Sequence, residues 1–142
     1  MEKQGPFWEV LRGEAPAPPV SQLLGWKPLS VDPEQRTFSA AFELDHQFTN
    51  PMGNVQGGII AAMLDDAIGP AIVSTLGPNQ FAPTAELSVQ FLSPARPGTF
   101  RADARVIKTG RTIAFVEADL FDADETHIAR AHTTVVLQGP HD

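Results

Sequence analysis

The chain has 142 residues and a mass of 15.3 kDa, with 17 acidic against 10 basic side chains and a formal net charge of −7. That length suits one compact domain able to bury a core without covalent staples, and the absence of cysteine excludes disulfides, thiolate catalysis and zinc ribbons. A negative field repels a phosphate backbone, so nucleic acid is a poor partner, and no apolar run approaches the ~18 residues of a membrane span. The first residues, MEKQGPFWEVLRGE, lack the basic start and apolar run of a signal peptide, so the expectation is a cytoplasmic protein.

In chain order, a short helix is expected at Pro6–Leu11, with Pro6 favourable in its first turn and Phe7, Trp8, Val10 and Leu11 as an apolar stripe. It is too short to stand alone and must dock. Ala15–Pro19 (APAPP) reads as an extended connector, which sets residues 1–19 apart from a main domain at 20–142. Arg36–Leu44 alternates, with Phe38, Ala40, Phe42 and Leu44 on one face, as a half-buried strand does. Val55–Thr75 has helical periodicity, with Ile60, Met63, Leu64, Ala67 and Ala71 on one stripe. Pro70 either ends this helix near Gly69 or bends it and lets it continue; a curved sheet favours the bend. Four strands are then expected at Ala82–Leu92, Thr99–Lys108, Thr112–Phe121 and His127–Leu137, parted by turns at Ser93–Gly98, Thr109–Arg111 and Asp122–Thr126. The pattern predicts an α+β domain in which one long helix covers an unbroken antiparallel meander.

Chemistry concentrates in Asn50–Asp66, NPMGNVQGGIIAAMLDD. Asn54 can cap the helix, and the amides of Gln56, Gly57 and Gly58 then offer a site for a carbonyl oxygen or an anion. Two glycines in a first turn cost about 1 kcal/mol each relative to alanine, so either the junction is tight or a ligand must come close. Asp65 and Asp66 follow on the same helix. At about 100° per residue, Asp65 falls within roughly 60° of Gly58, Ala62 and Gly69, a face of small residues that something can approach closely. A carboxylate on so apolar a helix is either satisfied structurally or kept for function. Gly57 and Asp65 lie about 12 Å apart along the axis, so a carbonyl held at the first cannot be reached by the second within one chain. If both serve one reaction, a second copy must supply the carboxylate, and the functional reading requires a dimer.

Asn50-Pro51-x-Gly53, then Gln56-Gly57-Gly58 and Asp65, closely resembles the hotdog-fold acyl-CoA thioesterases of the phenylacetate-degradation type. Two further blocks carry the resemblance: the strand Pro83–Ala95 with its Pro-Ala turn, and Lys108-Thr109-Gly110-Arg111 before the penultimate strand. Together they span roughly residues 20–138. The resemblance implies a hotdog fold, a long central helix wrapped by a curved antiparallel sheet of about five to six strands. It also implies a homodimer or homotetramer with sites at subunit seams, and an acyl-CoA substrate with no further cofactor or metal. By the same resemblance, Gly57 polarises the thioester carbonyl, the partner's Asp65 acts as nucleophile or general base, Asn50 positions water or thioester, and Thr84 assists Asp65. Gln56 stands where the family usually has histidine; it can donate a hydrogen bond but cannot shuttle a proton, which argues against dehydratase chemistry.

Between Thr37 and Ala95 there is no Lys or Arg, whereas six of the ten fall between Arg96 and Arg130. Arg96, Lys108 and Arg111, with Gly110 between the last two, lie at turns where they could meet the phosphates of coenzyme A. His46, His127, His132 and His141 show no metal spacing, and Ser88 and Ser93 have no nearby His–Asp arrangement. The expectation is an acyl-CoA thioesterase; the alternative is a non-catalytic acyl-CoA or acyl-carrier binding protein on the same fold.

Overall fold

A computed structural model describes residues 3–140, which leaves His141 outside the described residues. The elements are α1 (Pro6–Leu11), α2 (Pro19–Leu23), β1 (Lys27–Asp32), β2 (Thr37–Leu44), a single 3-10 turn at His46–Phe48, α3 (Gly57–Val73), β3 (Thr84–Phe91), β4 (Gly98–Thr109), β5 (Ile113–Asp122) and β6 (His127–Val136). The six strands form one antiparallel sheet in the order β1-β2-β4-β5-β6-β3. This is the hotdog arrangement, with α3 lying across the concave face.

The expected unbroken meander is corrected: of the four strands after α3, only β4, β5 and β6 pair in succession, while β3 pairs with β6 and β2 with β4. With α3 between them, β2 and β3 cannot be joined as a hairpin, and each takes one flank of the β4–β6 unit. Strand β1 and helix α2 are additions to the expected elements. Five of the six β1 residues are exposed and Pro28 sits at a register shift, so no hydrophobic alternation marks the strand. Pro19, expected in the connector, is the first residue of α2.

The core forms where the helical stripe meets the sheet. Met63, Leu64, Ile68 and Ile72 of α3 pack with Phe38, Phe42, Phe100, Leu120 and Ile128, all of them fully buried. Ala102, Ala104, Ala118 and Ala131 line the middle of the sheet beneath them. Small side chains there let a helix seat closely on a curved sheet. Helix α1 docks as its length demands: the Phe7 ring meets Phe38 edge-on at 6.1 Å between centroids, and Trp26 stacks on Phe38 at 6.0 Å.

α3 continues through Pro70 to Val73, so the early stop at Gly69 does not occur. Proline has no N–H to offer the carbonyl four residues earlier, which is that of Asp66. The indole Nε1–H of Trp26 donates to that carbonyl at 3.2 Å. A side chain from the β1 entry thus replaces the bond that Pro70 removes. On the convex face, Arg105 pairs with Glu117 and Asp119, Arg130 with Glu117, and Arg101 with Asp103 and Glu125. Among the described residues, no helix is long and apolar enough to cross a membrane.

Trp26→Phe should lower stability by about 1–2 kcal/mol in denaturant titration, because it leaves a half-buried helical carbonyl without a donor. In a Pro70→Ala background the helix supplies its own donor, and the same change should cost measurably less. Equal costs in both backgrounds would contradict the assignment.

Candidate active site

Two clusters of candidate residues lie at opposite ends of β3. The first is built by the loop before α3. Asn50 Oδ1 accepts from the backbone N–H of Met52 at 2.9 Å and of Asn54 at 3.2 Å, while the Asn54 carbonyl accepts from Asn50 N–H at 2.7 Å. Gly53, at φ 81°, makes the reversal possible. The Val55 N–H donates to the Ala95 carbonyl at 2.7 Å and the Gln56 N–H to the Phe48 carbonyl at 2.9 Å, fixing the direction in which α3 starts.

The expected cap is corrected. Gln56, not Asn54, occupies the N-cap position, its carbonyl accepting from Ile59 and Ile60, because Asn54 is already held inside the turn. The Gln56 side chain makes no capping bond and is exposed. The Gly57 and Gly58 amides meet no acceptor among the described residues, as the first N–H groups of an uncapped helix do. They open beside a cavity of about 300 Å³ lined by Asn50, Gly57, Phe91, Ser93 and Ala95. Asn50 lines this cavity as well as shaping the loop through its Oδ1, and its side-chain N–H2 makes no hydrogen bond among the described residues.

The second cluster is Asp65 with Thr84, the first residue of β3. The Thr84 hydroxyl donates to Asp65 Oδ1 at 3.4 Å. Partial burial pushes the Asp65 carboxyl above the usual aspartate value, and the Thr84 hydrogen bond opposes that rise. A Cβ placed at Gly58 or Gly69 would meet nothing within 4 Å beyond its own stretch of helix, so the small-residue face around Asp65 is open at these two positions. β3 spans the two clusters, with Thr84 against Asp65 and the Phe91 ring 3.3 Å from where a Gly57 Cβ would lie. One chain therefore does not unite Gly57 and Asp65.

The expected phosphate-binding residues divide in the same way. Arg96 precedes β4 at the Gly57 end, whereas Lys108, Gly110 and Arg111 form the β4–β5 hairpin, beside the Thr84 end of the sheet. Roughly 30–35 Å of β4 separates them. Arg96, Lys108 and Arg111 make no ion pair among the described residues, in contrast to the three arginines of the convex face.

Asp66 is the group that sequence reasoning passed over. Its Oδ1 accepts from the Ser21 hydroxyl at 3.1 Å, and its Oδ2 is buried with no partner. Burial pushes its pKa up to about 6; the Ser21 bond lowers it, and the neighbouring Asp65 charge adds to the rise. The adjacent acidic pair was visible, but nothing local reveals that Ser21, 45 positions away, would cover one member.

The family described as the thioesterase superfamily matches residues 52–129. Among solved structures, the chain is similar to a putative thioesterase from Ralstonia eutropha, titled a phenylacetic acid degradation-related protein. That likeness has 36% identity and a TM-score of 0.88, covering 92% of this chain and 98% of the other. A curated putative esterase of Saccharolobus solfataricus is 31% identical over 68% of this chain and 63% of its own length. Human acyl-coenzyme A thioesterase 13 is 28% identical over 70% of this chain and 66% of its own. The chain spans 55–63% of the length of the three putative esterases from Saccharolobus and Halobacterium that it matches.

The Asp66 carboxyl has a testable linkage to stability. Its folded pKa, about 6, lies above the ordinary 3.8, so the fold holds the proton more tightly than the unfolded chain does. Ionisation therefore costs stability progressively as pH rises between those values, and the cost is constant above. Asp66→Asn, which cannot ionise, should gain on the parent protein between pH 4 and pH 7 in paired denaturant titrations. A gap that does not change with pH would contradict the assignment.

Proposed function

The chain belongs to the thioesterase superfamily, and from that premise we propose that it hydrolyses acyl-CoA thioesters at sites shared by two copies of itself. The observation that carries this reading is the pairing of unsatisfied Gly57 and Gly58 amides at one end of β3 with the Asp65–Thr84 pair at the other. β3 is an edge strand, and its outer flank is open to a second β3. Antiparallel pairing of two such edges sets the Phe91 end of one beside the Thr84 end of the other. That brings each Gly57 toward the partner's Asp65 and gives two equivalent sites. It also gathers Arg96 of one copy with Lys108 and Arg111 of the other, three unpaired cations for the phosphates of one coenzyme A.

In the proposed reaction the thioester carbonyl lies against the Gly57 amide, where the positive end of α3 stabilises the oxyanion as charge develops. The partner's Asp65 removes a proton from a water that attacks the carbonyl carbon, or attacks it directly to give a mixed anhydride that water then hydrolyses, releasing the acid and restoring the carboxylate. The carbon–sulfur bond breaks, coenzyme A leaves as a thiolate, and water supplies the oxygen and hydrogen of the free acid. A thiolate leaves without prior protonation, so Gln56 needs only to donate a hydrogen bond. In this reading the Asn50 N–H2 orients the carbonyl or the water. The substrate and the lack of cysteine both fit a cytoplasmic setting.

Asp65→Asn should reduce kcat about 10²-fold or more on acyl-CoA, read as thiol release. Gly57→Pro removes the amide hydrogen at a first helical position, where the backbone suits proline; its Cβ would sit 3.3 Å from the Phe91 ring, which must give by a few tenths of an ångström, so the variant is first checked for folding and should then lose about 10²–10³ in kcat. Retained turnover in either variant would overturn the assignment. Activity requires Asp65 ionised, so kcat should rise with pH along an acid limb above the usual aspartate range. Thr84→Val removes the bond that holds the Asp65 pKa down and should move that limb to higher pH. A limb that stays in place would separate Thr84 from the carboxylate's chemistry.

A further inference from the structure

Resting on the reading of Asp65 as the reacting carboxylate, we propose that α1 and α2 build the compartment for the substrate's acyl tail, with Phe7 and Gly69 setting which tails fit. A cavity of about 280 Å³ lies between these helices and the second half of α3. Its walls are Phe7 and Val10 of α1, Pro18, Trp26, and Gly69, Pro70 and Val73 of α3. Ser21 and Asp66 are the polar members, and they bond to each other at 3.1 Å. Everything else the ligand would meet there is apolar.

Asp65 does not itself line this cavity, and in the proposal Gly69 is the link between them. This residue is four positions after Asp65, one helical turn on and on nearly the same face. It forms part of the cavity wall, and a Cβ placed on it would meet nothing within 4 Å beyond its own stretch of helix. An acyl chain leaving a carbonyl at Asp65 can therefore cross the bare backbone of Gly69 into the space under α1. Any larger residue at position 69 would stand in that path.

Volume then selects the tail. A cavity of ~150 Å³ holds benzene, so 280 Å³ accepts one aromatic ring with a short arm, or an alkyl tail of similar bulk. Each methylene placed there raises kcat/KM by about fourfold until the space is full. Phe7 closes the compartment on one side. Beyond it lies a second cavity of about 210 Å³, lined by Trp8, Val73, Leu76, Phe81 and Ala82. Pro6, Phe7 and Val73 border both cavities, so Phe7 acts as the partition.

The test measures kcat/KM for acetyl-, hexanoyl-, phenylacetyl- and dodecanoyl-CoA and takes ratios within each protein, so that a loss of folded or paired molecules cancels. The parent protein should prefer hexanoyl- and phenylacetyl-CoA over acetyl-CoA. Gly69→Val should lower the hexanoyl-to-acetyl ratio about tenfold or more. Val10→Phe, which fills the compartment from α1, should lower it in the same direction. Phe7→Ala should raise the dodecanoyl-to-hexanoyl ratio by joining the two cavities. Parent turnover with all three ratios unchanged within twofold would overturn this proposal and leave the thioesterase reading standing. No parent turnover of any acyl-CoA would overturn that reading, and the tail compartment with it.

Discussion

An α-helix advances about 1.5 Å per residue, and that pitch governs how this protein can work. The free amides at the start of α3 and the carboxylate of Asp65 ride on the same rigid rod, about 12 Å apart, and no local rearrangement brings them together. β3 lies alongside the rod with one end at each group and one edge unpaired. The geometry that forbids a site within one chain thus offers a way to complete two sites between chains. The division of unpaired cations, Arg96 at one end and Lys108 with Arg111 at the other, follows the same logic.

The second half of α3 depends on a different contact. Pro70 leaves the Asp66 carbonyl without its helical donor, and Trp26 provides one; Ser21 meets the Asp66 side chain a few ångströms away. These two bonds tie the N-terminal segment to the helix just beyond Asp65. The result is a helix anchored on both sides of Pro70, with Asp65 against Thr84 and an apolar space next to it. Structural polar contacts and the proposed tail compartment are two aspects of one arrangement. A buried carboxyl with a raised pKa is tolerated there because its other oxygen is hydrogen-bonded.

Much of this was legible in the sequence because strong periodicity does not depend on distant partners. Phe38, Ala40, Phe42 and Leu44 are buried as their alternation requires, and Ile60, Met63, Leu64, Ala67 and Ala71 as helical spacing requires. Helix α1 falls at its expected residues. Strand order was not legible, since hydrophobic alternation in β3 says which face is inward but not which neighbour it joins. β1 escaped notice because an exposed edge strand carries little alternation. The N-cap was misplaced because Asn54 suits that role by residue type, and only the three-dimensional turn shows it engaged with Asn50. The Asp65–Thr84 contact was expected from family resemblance, whereas the Trp26 and Ser21 contacts to residue 66 had no local signature.

The shared site is tested most directly by mixing two inactive proteins, Asp65→Asn and Gly57→Pro. A mixed dimer holds one site in which an intact amide end faces an intact carboxylate, and one site that lacks both. With equal amounts refolded together, random pairing should restore about a quarter of the parent activity, while each variant refolded alone stays inactive. Restoration at that level is the result expected here. Mixed dimers that form, as shown by mass, and yet hydrolyse nothing would contradict a site built from two chains.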